Sequence, residues 1–478
     1  MEVLIIPDDL PLTAGMLAHA AKQRLSFHTP GHKGRRIALP FIDQALGDLD
    51  LTELPGLDDL HHPSGIIAQA QGNYARWAGA KSSYFLVNGA TAGIQAALAA
   101  ALDPGDLVLT PRNAHKSVYA AMVITGAKPV YYLPEIHPEF GLPLGQVPDK
   151  VLDKAGALPD LRAIIVLRPT YYGTVWDMSG LRPGWTSGVI IADEAHGAHF
   201  PFCSRLPESA LTLGADLVVQ GTHKTLGALT QGAVLHLGRE SSFAGERIER
   251  ALDLLQTTSP SYLIMASLEG AVWDASTRGE QQWTGLAERA QQLVERLTAG
   301  GWRVLTERDV GTYGIAGLDP AKILLHTPAS GVRLARDLAE SFGIQAELWD
   351  NDNILFLLGA GDSADSLEKL ERALLRLGAV QPGAARKLFQ PSLPVQVLTP
   401  RHAYFAPKSE ISLTEAAGKI CGGTLAPYPP GVPVIVPGEV FSQEIVEYIC
   451  WSLSQGVYWQ GIRQKGDEQI LIIKETGA

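Results

Sequence analysis

Between residues 70 and 240 the chain alternates short apolar, β-branched runs with longer helical patterns, and this constrains the fold more than any other feature. The runs are SSYFLV (82–87), DLVLT (106–110), KPVYYL (128–133), RAIIVL (162–167), GVIIAD (188–193), DLVVQ (216–220) and GAVLHL (232–237). Strands alternating with helical segments form βαβ units, and parallel strands covered on both faces read as continuous apolar runs. The expected fold class is therefore α/β, with a large domain built on a mainly parallel sheet. Ligands of such sheets gather beyond the carboxyl ends of the strands, so the polar residues that follow each run are the ones to inspect.

A second block, roughly 285 to 380, reads as a smaller α+β domain: helix GLAERAQQLVERLTAGG, strands WRVLTE and ILLHT, helix SGVRLARDLAESFG, paired strands QAELWD and ILFLLG, and helix SADSLEKLERALLRLG. The segment VQPGAARKLFQPSLPVQVLTP then carries four prolines and marks a linker into a C-terminal domain. That domain contains APYPPGVPVIVPGE, too rich in proline for a regular helix or a central strand. The expected division is an N-terminal segment 1–70, a large domain 71–280, a small domain 281–382 and a C-terminal domain 383–478.

The 478 residues carry a formal charge of −11, which argues against non-specific binding of nucleic acid, a process driven by basic patches. Three widely spaced cysteines, Cys203, Cys421 and Cys450, form no CxxC pair, so neither a disulfide framework nor a metal site is expected. The opening MEVLIIPDDLPLTAG has no basic n-region, and no apolar run reaches the ~18 residues that span a bilayer. A cytoplasmic protein without membrane association is the expectation.

Phosphate-loop, zincin, nucleophile-elbow and dinucleotide fingerprints are missing from the sequence. In YFLVNGATAGIQAALAAALDPGD, a strand leads through a glycine-containing turn into an alanine-rich helix. Such a helix N-terminus suits a phosphate, with Thr91 adding a hydroxyl; an ordinary capped turn would look the same. The run GVIIAD delivers Asp193 and Glu194 at a strand end, and thirty-one residues after Asp193 comes Lys224, just beyond DLVVQ. Alone, a lysine after a strand is a solvated surface charge. Together, a phosphate cradle, a strand-end carboxylate and a strand-end amine are what pyridoxal 5'-phosphate requires. Between them PRNAHKSVYAA offers His115, placed to stack on the cofactor ring.

The chain resembles the short, bacterial-type Orn/Lys/Arg decarboxylases, fold-type I pyridoxal-phosphate enzymes. The resemblance runs through FHTPGHKG (27–34), DLTELPGLDDLHHPSGII (50–67), NGATAG (88–93), PRNAHKS (111–117), RPTYYGT (168–174), ADEAHGAH (192–199), GTHKTL (221–226), TSPSY (258–262) and APYPPGVPVIVPGE (426–439). It implies that Lys224 carries the cofactor as a Schiff base, that Asp193 pairs with the pyridine nitrogen, and that His115 and Ala195 cover the two ring faces. Thr91, Thr222 and His223 would contact the phosphate. Ala90 stands where many relatives have a hydroxyl residue, which leaves more of that contact to backbone N–H groups. The family implies a homodimer or a dimer of dimers, with Ser259 or Ser261 reaching the partner's phosphate and the TPGHKG segment helping to close the interface.

Longer, acid-inducible members place Trp after DEA and carry an N-terminal wing; His196 here, with no room for the wing, implies a constitutive, biosynthetic form acting in polyamine synthesis. The reaction implied is decarboxylation of a basic amino acid, arginine to agmatine being favoured over lysine or ornithine. Lys224, His223 or His196 would return the proton to Cα. Candidate carboxylates for the substrate side chain are Asp58, Asp59, Glu347, Asp350 and Glu439. An aminotransferase would use the same lysine and aspartate but needs an arginine for the α-carboxylate, and Arg168 and Arg401 keep that reading open. A non-catalytic regulatory homologue is disfavoured by the intact Lys224 and Asp193.

Overall fold

Seven strands form the central sheet: β1 Ser82–Leu86, β2 Leu107–Pro111, β3 Lys128–Tyr132, β4 Leu161–Leu167, β5 Val189–Asp193, β6 Leu217–Gln220 and β7 Ala233–Leu237. Their spatial order is β1-β7-β6-β5-β4-β2-β3, and only β7 runs antiparallel to its neighbours. This computed structural model describes residues 25–28, 31–33, 50–54, 57–379, 392–428, 431–465 and 467–474. Thr29, Pro30 and Gly34 of the TPGHKG motif lie outside the described residues, as do Pro55, Gly56 and most of the expected linker (380–391).

Each strand buries both faces because successive side chains point to opposite sides of the sheet. Leu86, Val108, Ile165, Ile191, Leu217, Val219 and Leu235 join one apolar cluster with helices α2 Gly89–Ala101, α3 Lys116–Thr125 and α4 Gly245–Leu255. The residues one place away, Phe85, Leu109, Ile164, Ile190, Val218 and Val234, join a second cluster with α1 Ile66–Ala78 and α5 Tyr262–Ala299. Each such aliphatic side chain contributes about 1.5–3 kcal/mol on burial, so a one-residue register slip would be costly along the whole sheet.

Helix α5 is 38 residues long and passes without a break through position 280. Leu268 and Val272 pack beneath the sheet, while Leu293 and Leu297 meet Leu370 and Leu374 of α7 Ala364–Leu377, all within one cluster. Beyond α5 lies an antiparallel sheet of β8 Arg303–Val304, β9 Lys322–His326, β10 Leu348–Trp349 and β11 Asn353–Leu357, ordered β8-β9-β11-β10, with helix α6 Gly331–Ser341. From the N-terminal segment, Leu25–Phe27 pairs in parallel with Ile344–Ala346. The C-terminal region has its own core, including Phe441, Ile445 and Trp459, around strands β12 Lys408–Ser412, β13 Arg463–Lys465 and β14 Asp467–Ile473 and helix α8 Gln443–Ser454.

One buried ion pair ties that region to the sheet. Arg112, just beyond β2, donates Nη1 to Glu439 Oε1 and Nη2 to Glu439 Oε2, both at 2.9 Å, and Nη2 also reaches the Val434 carbonyl at 2.8 Å. Its guanidinium lies 4.9 Å from the Tyr131 ring centroid. Removing one member of such a pair strands the other charge in the interior. Glu439→Ala should therefore cost about 3–5 kcal/mol of stability. Thermal melts read alongside limited proteolysis should show the region after residue 392 becoming cleavable at lower temperature; an unchanged cleavage pattern would show that the pair does not anchor it.

Candidate active site

Parallel pairing sets Val219 opposite Asp193, so the ends of β5 and β6 open side by side. The residues that follow diverge by strand parity. Asp193 is 5% exposed and accepts one hydrogen bond, from the Ala195 N–H at 3.2 Å. Burial pushes its carboxyl up, opposed by Lys224 and by the Ala195 N–H. Glu194 enters a separate network instead. It accepts from Ser209 Oγ at 2.7 Å, Ala210 N–H at 2.8 Å and Gln220 Nε2 at 2.6 Å, and Gln220 Oε1 accepts from His236 Nε2 at 3.1 Å. Burial raises Glu194 to about 7, so this carboxyl acts as an internal tie rather than a facing charge.

Lys224 lies in the short helical turn Thr222–Thr225 that follows β6. The turn must approach the β5 loop closely: Gly221 N–H donates to the Ala195 carbonyl at 3.2 Å, and a Cβ at Gly221 would sit 2.7 Å from that oxygen. Gly31 donates its N–H to the His223 carbonyl at 2.7 Å, so the described part of the TPGHKG segment braces the lysine turn within the same chain. Lys224 Nζ is 2.9 Å from His196 Nε2. Burial lowers its affinity for a proton, opposed by Asp193 and Glu347.

Two more histidines, His115 and His223, lie close enough to feel the amine, and His32 lies near His223. His115 caps α3, its Nδ1 accepting from the Ser117 hydroxyl at 2.9 Å and the Ser117 N–H at 3.3 Å. Burial, with Lys224 and Lys116 adding to it, brings His115 down to about 4. His223 Nδ1 donates to the Gly232 carbonyl at 2.9 Å, which leaves Nε2 as its lone-pair nitrogen, and burial again brings it to about 4. His32 is lowered by burial and by Lys33. These rings are neutral at pH 7.

Helix α2 begins at Gly89 without a side-chain cap, leaving the first N–H groups around Ala90 and Thr91 for an anion. Thr91 and His115 line one cavity of about 510 Å³. Thr222 is fully buried, its hydroxyl 3.0 Å from that of Tyr74. Ser261 caps α5 and Ser259 is exposed; the nearby Thr257 N–H donates to Asn88 Oδ1 at 3.2 Å, which sets this segment beside the start of α2. Ala195 is buried next to Asp193.

Of the five candidate carboxylates, four are engaged elsewhere. Asp58 accepts N–H bonds from Ser64, Gly65, Ile67 and Ala68 at the head of α1, Asp59 accepts from His61 N–H, Asp350 from Asp352 and Asn353, and Glu439 from Arg112. Glu347 accepts from the Tyr171 hydroxyl at 2.8 Å and acts electrostatically on Lys224, Lys33 and Lys322. Lys322, buried at the start of β9, is the site residue the sequence reading passed over; a lysine set directly before the apolar run ILL was its only signal.

The donor set suits pyridoxal phosphate: an amine, a buried carboxylate, a neutral imidazole, an alanine methyl and an uncapped helix N-terminus. The fold is that of fold-type I enzymes, and the candidate site is centred on Lys224. The profile of the Orn/Lys/Arg decarboxylase major domain matches residues 10–310, and that of the C-terminal domain of the same family matches residues 383–456. The chain belongs to the Orn/Lys/Arg decarboxylase family, whose members are pyridoxal-phosphate carboxy-lyases. It is 34% identical to an arginine decarboxylase of Bacillus subtilis, over 98% of this chain and 99% of that one, and 33% identical to an arginine decarboxylase of Bacillus anthracis, over 98% of each. The structure of lysine decarboxylase A from Pseudomonas aeruginosa superposes with a TM-score of 0.77 at 22% identity, covering 97% of this chain and 80% of that one. Among the described residues no helix is long and apolar enough to cross a membrane.

The neutral histidines make the fold acid-sensitive. Each binds a proton more weakly folded than unfolded, so the unfolded chain takes up more protons between about 6.5 and about 4, and stability falls as pH drops through that window. Thermal midpoints of the wild type should decline steeply from pH 6.5 to 4, and the decline should be shallower in the double variant His115→Gln/His223→Gln. Parallel curves for the two proteins would contradict this.

Proposed function

We propose that the chain decarboxylates L-arginine to agmatine and CO2, with pyridoxal 5'-phosphate held by Lys224. The observation that carries this reading is the meeting of Lys224, Asp193 and His196 at one sheet edge, in a chain similar over nearly its whole length to arginine decarboxylases. When bound, the cofactor supplies the sink for the electron pair released as CO2 departs.

Asp193 is placed to keep a ring-nitrogen proton in position, where the charge of a protonated ring would offset the burial that raises its carboxyl. His115 and Ala195 are assigned to the ring faces. The N–H groups of Ala90 and Thr91, with Thr222 and the Ser259–Ser261 segment, are assigned to the phosphate; His223 is not, because its ring N–H and its backbone N–H are both bound to the Gly232 carbonyl. For return of a proton to Cα the arrangement favours Lys224. His223 turns its Nδ1–H to Gly232 and keeps a lone pair on Nε2, so it is an acceptor at neutral pH. His196, touching Lys224 Nζ, can exchange protons with the amine.

Glu347 is our assignment for the substrate guanidinium, because it alone of the five candidates bears electrostatically on Lys224. The aminotransferase reading loses support from both of its arginines. Arg168 donates to the carbonyls of Trp176 and Glu208, and Arg401 to those of Val123 and Ile124. We assign the enzyme to polyamine biosynthesis in the cytoplasm, as a homodimer or dimer of dimers.

Lys224→Ala should abolish both turnover and the visible absorbance of the lysine-bound cofactor; activity surviving in full would remove the assignment. Wild-type protein offered arginine, lysine and ornithine in parallel should release agmatine and trapped CO2 from arginine, whereas cadaverine, putrescine or a keto acid as the main product would redirect it. Glu347→Gln should lower kcat/KM for arginine roughly 10- to 100-fold, the loss of a charged hydrogen bond of about 1.5–3 kcal/mol. An unaltered value would exclude Glu347 as the guanidinium partner.

A further inference from the structure

The β8-β9-β11-β10 layer sends a cation into this site. Lys322 Nζ donates to the Tyr171 carbonyl at 2.9 Å, lies 3.3 Å from His196 Nδ1 and stands 5.6 Å from the Tyr171 ring centroid. The other nitrogen of the same imidazole, Nε2, is 2.9 Å from Lys224 Nζ. The fold makes room for this reach: Gly173 has φ +91°, and a Cβ there would sit 2.4 Å from Lys322 Cβ. Asp319 adds negative charge beside Lys322, its own carboxylate accepting from His199 Nε2 at 3.0 Å and Ala321 N–H at 2.9 Å.

A neutral imidazole has one N–H and one lone pair, so it cannot accept from two ammonium groups at once. One of the two lysines must present its own lone pair to the ring. The surroundings select which. Carboxylates favour an ammonium on both, Asp193 and Glu347 at Lys224 and Asp319 and Glu347 at Lys322, but Lys322 also has a carbonyl and an aromatic face to hold its charge.

We infer that Lys322 is a positioning residue: its ammonium occupies His196 Nδ1, fixes the ring proton on Nε2, and so holds Lys224 as the neutral amine that can attack an aldehyde. The inference rests on the reading of Lys224 as the cofactor lysine. The titration directions agree with it. Burial brings Lys322 down to about 8, opposed by Asp319 and Glu347, which leaves it mainly charged at pH 7. Burial holds His196 well below its usual value, helped by Lys224, Lys322, His115 and His223. Lys224 is lowered by burial against Asp193 and Glu347.

The test follows capture of added pyridoxal phosphate by full-length protein freed of cofactor, across pH 6 to 9, with borohydride trapping and mass analysis to locate the modified lysine. Lys322→Met should shift the pH profile of capture upward by about one unit, making capture at pH 7 roughly tenfold slower. A profile unchanged in Lys322→Met would overturn the inference. Capture that never modifies Lys224 in the wild type would overturn the underlying site reading instead. Should the variant fail to fold, the wild type still decides. In 15N-histidine spectra the His196 signals, assigned by their loss in His196→Asn, should report a proton on Nε2, and a proton on Nδ1 would sink the idea.

Discussion

The parallel hydrogen-bonded register of β5 and β6 brings a carboxylate and an amine thirty-one residues apart to one edge of the sheet. Neighbouring parallel strands end together, so whatever follows each of them faces the same crevice. Once Val219 is opposite Asp193, the Gly221 turn has no freedom to place Lys224 elsewhere, because it is itself bonded to the Ala195 carbonyl. The remaining site elements dock onto that edge. The N-terminal segment reaches it through Gly31, and the β8-β9-β11-β10 layer and its flank through Lys322 and Glu347.

Gathering Lys33, Lys224 and Lys322 in one buried region poses an electrostatic problem, since a charge removed from water is costly unless it is paired or hydrogen-bonded. Different devices meet it. Lys33 donates to the carbonyls of His28 and Leu357 at 2.7 and 2.9 Å, Asp193 and Glu347 supply opposite charge, and the histidines fill the intervening space with polar groups that carry none. Glu194, adjacent to Asp193 in sequence, is kept out of this balance by its own ties to Ser209, Ala210 and Gln220. Two consecutive carboxylates thus serve different ends, one as a charge facing the amine and the other as a structural link.

What could be read in advance followed from local pattern. The strands of the central sheet were legible because burial on both faces demands uninterrupted β-branched runs, and the meeting of Asp193 and Lys224 at one edge was legible because Asp193 ends one of those runs and Lys224 closely follows the next. Interactions across long separations left no such trace. Asp58 looked like a free carboxylate until the chain folded its side chain over four N–H groups at the start of α1, and Glu439 until Arg112, 327 residues away, closed on it. Lys322 showed only as a lysine opening a strand, because nothing near it in sequence says that Gly173 leaves a gap through which it meets His196.

The same contrast bears on reaction type. An arginine fork grips a carboxylate through two parallel bonds, which suits an enzyme that must retain the α-carboxylate. Arg168 gives Nε and Nη1, and Arg401 gives Nη1, to backbone carbonyls, while the cation that bears on the amine is a lysine, Lys322. A lysine is a point charge that can give up its proton as well as hold an anion. An environment of lysine amines and neutral imidazoles therefore favours moving a proton over clamping a carboxylate, which is the balance a decarboxylase needs: the carboxylate must be free to leave, and its place at Cα must be taken by hydrogen.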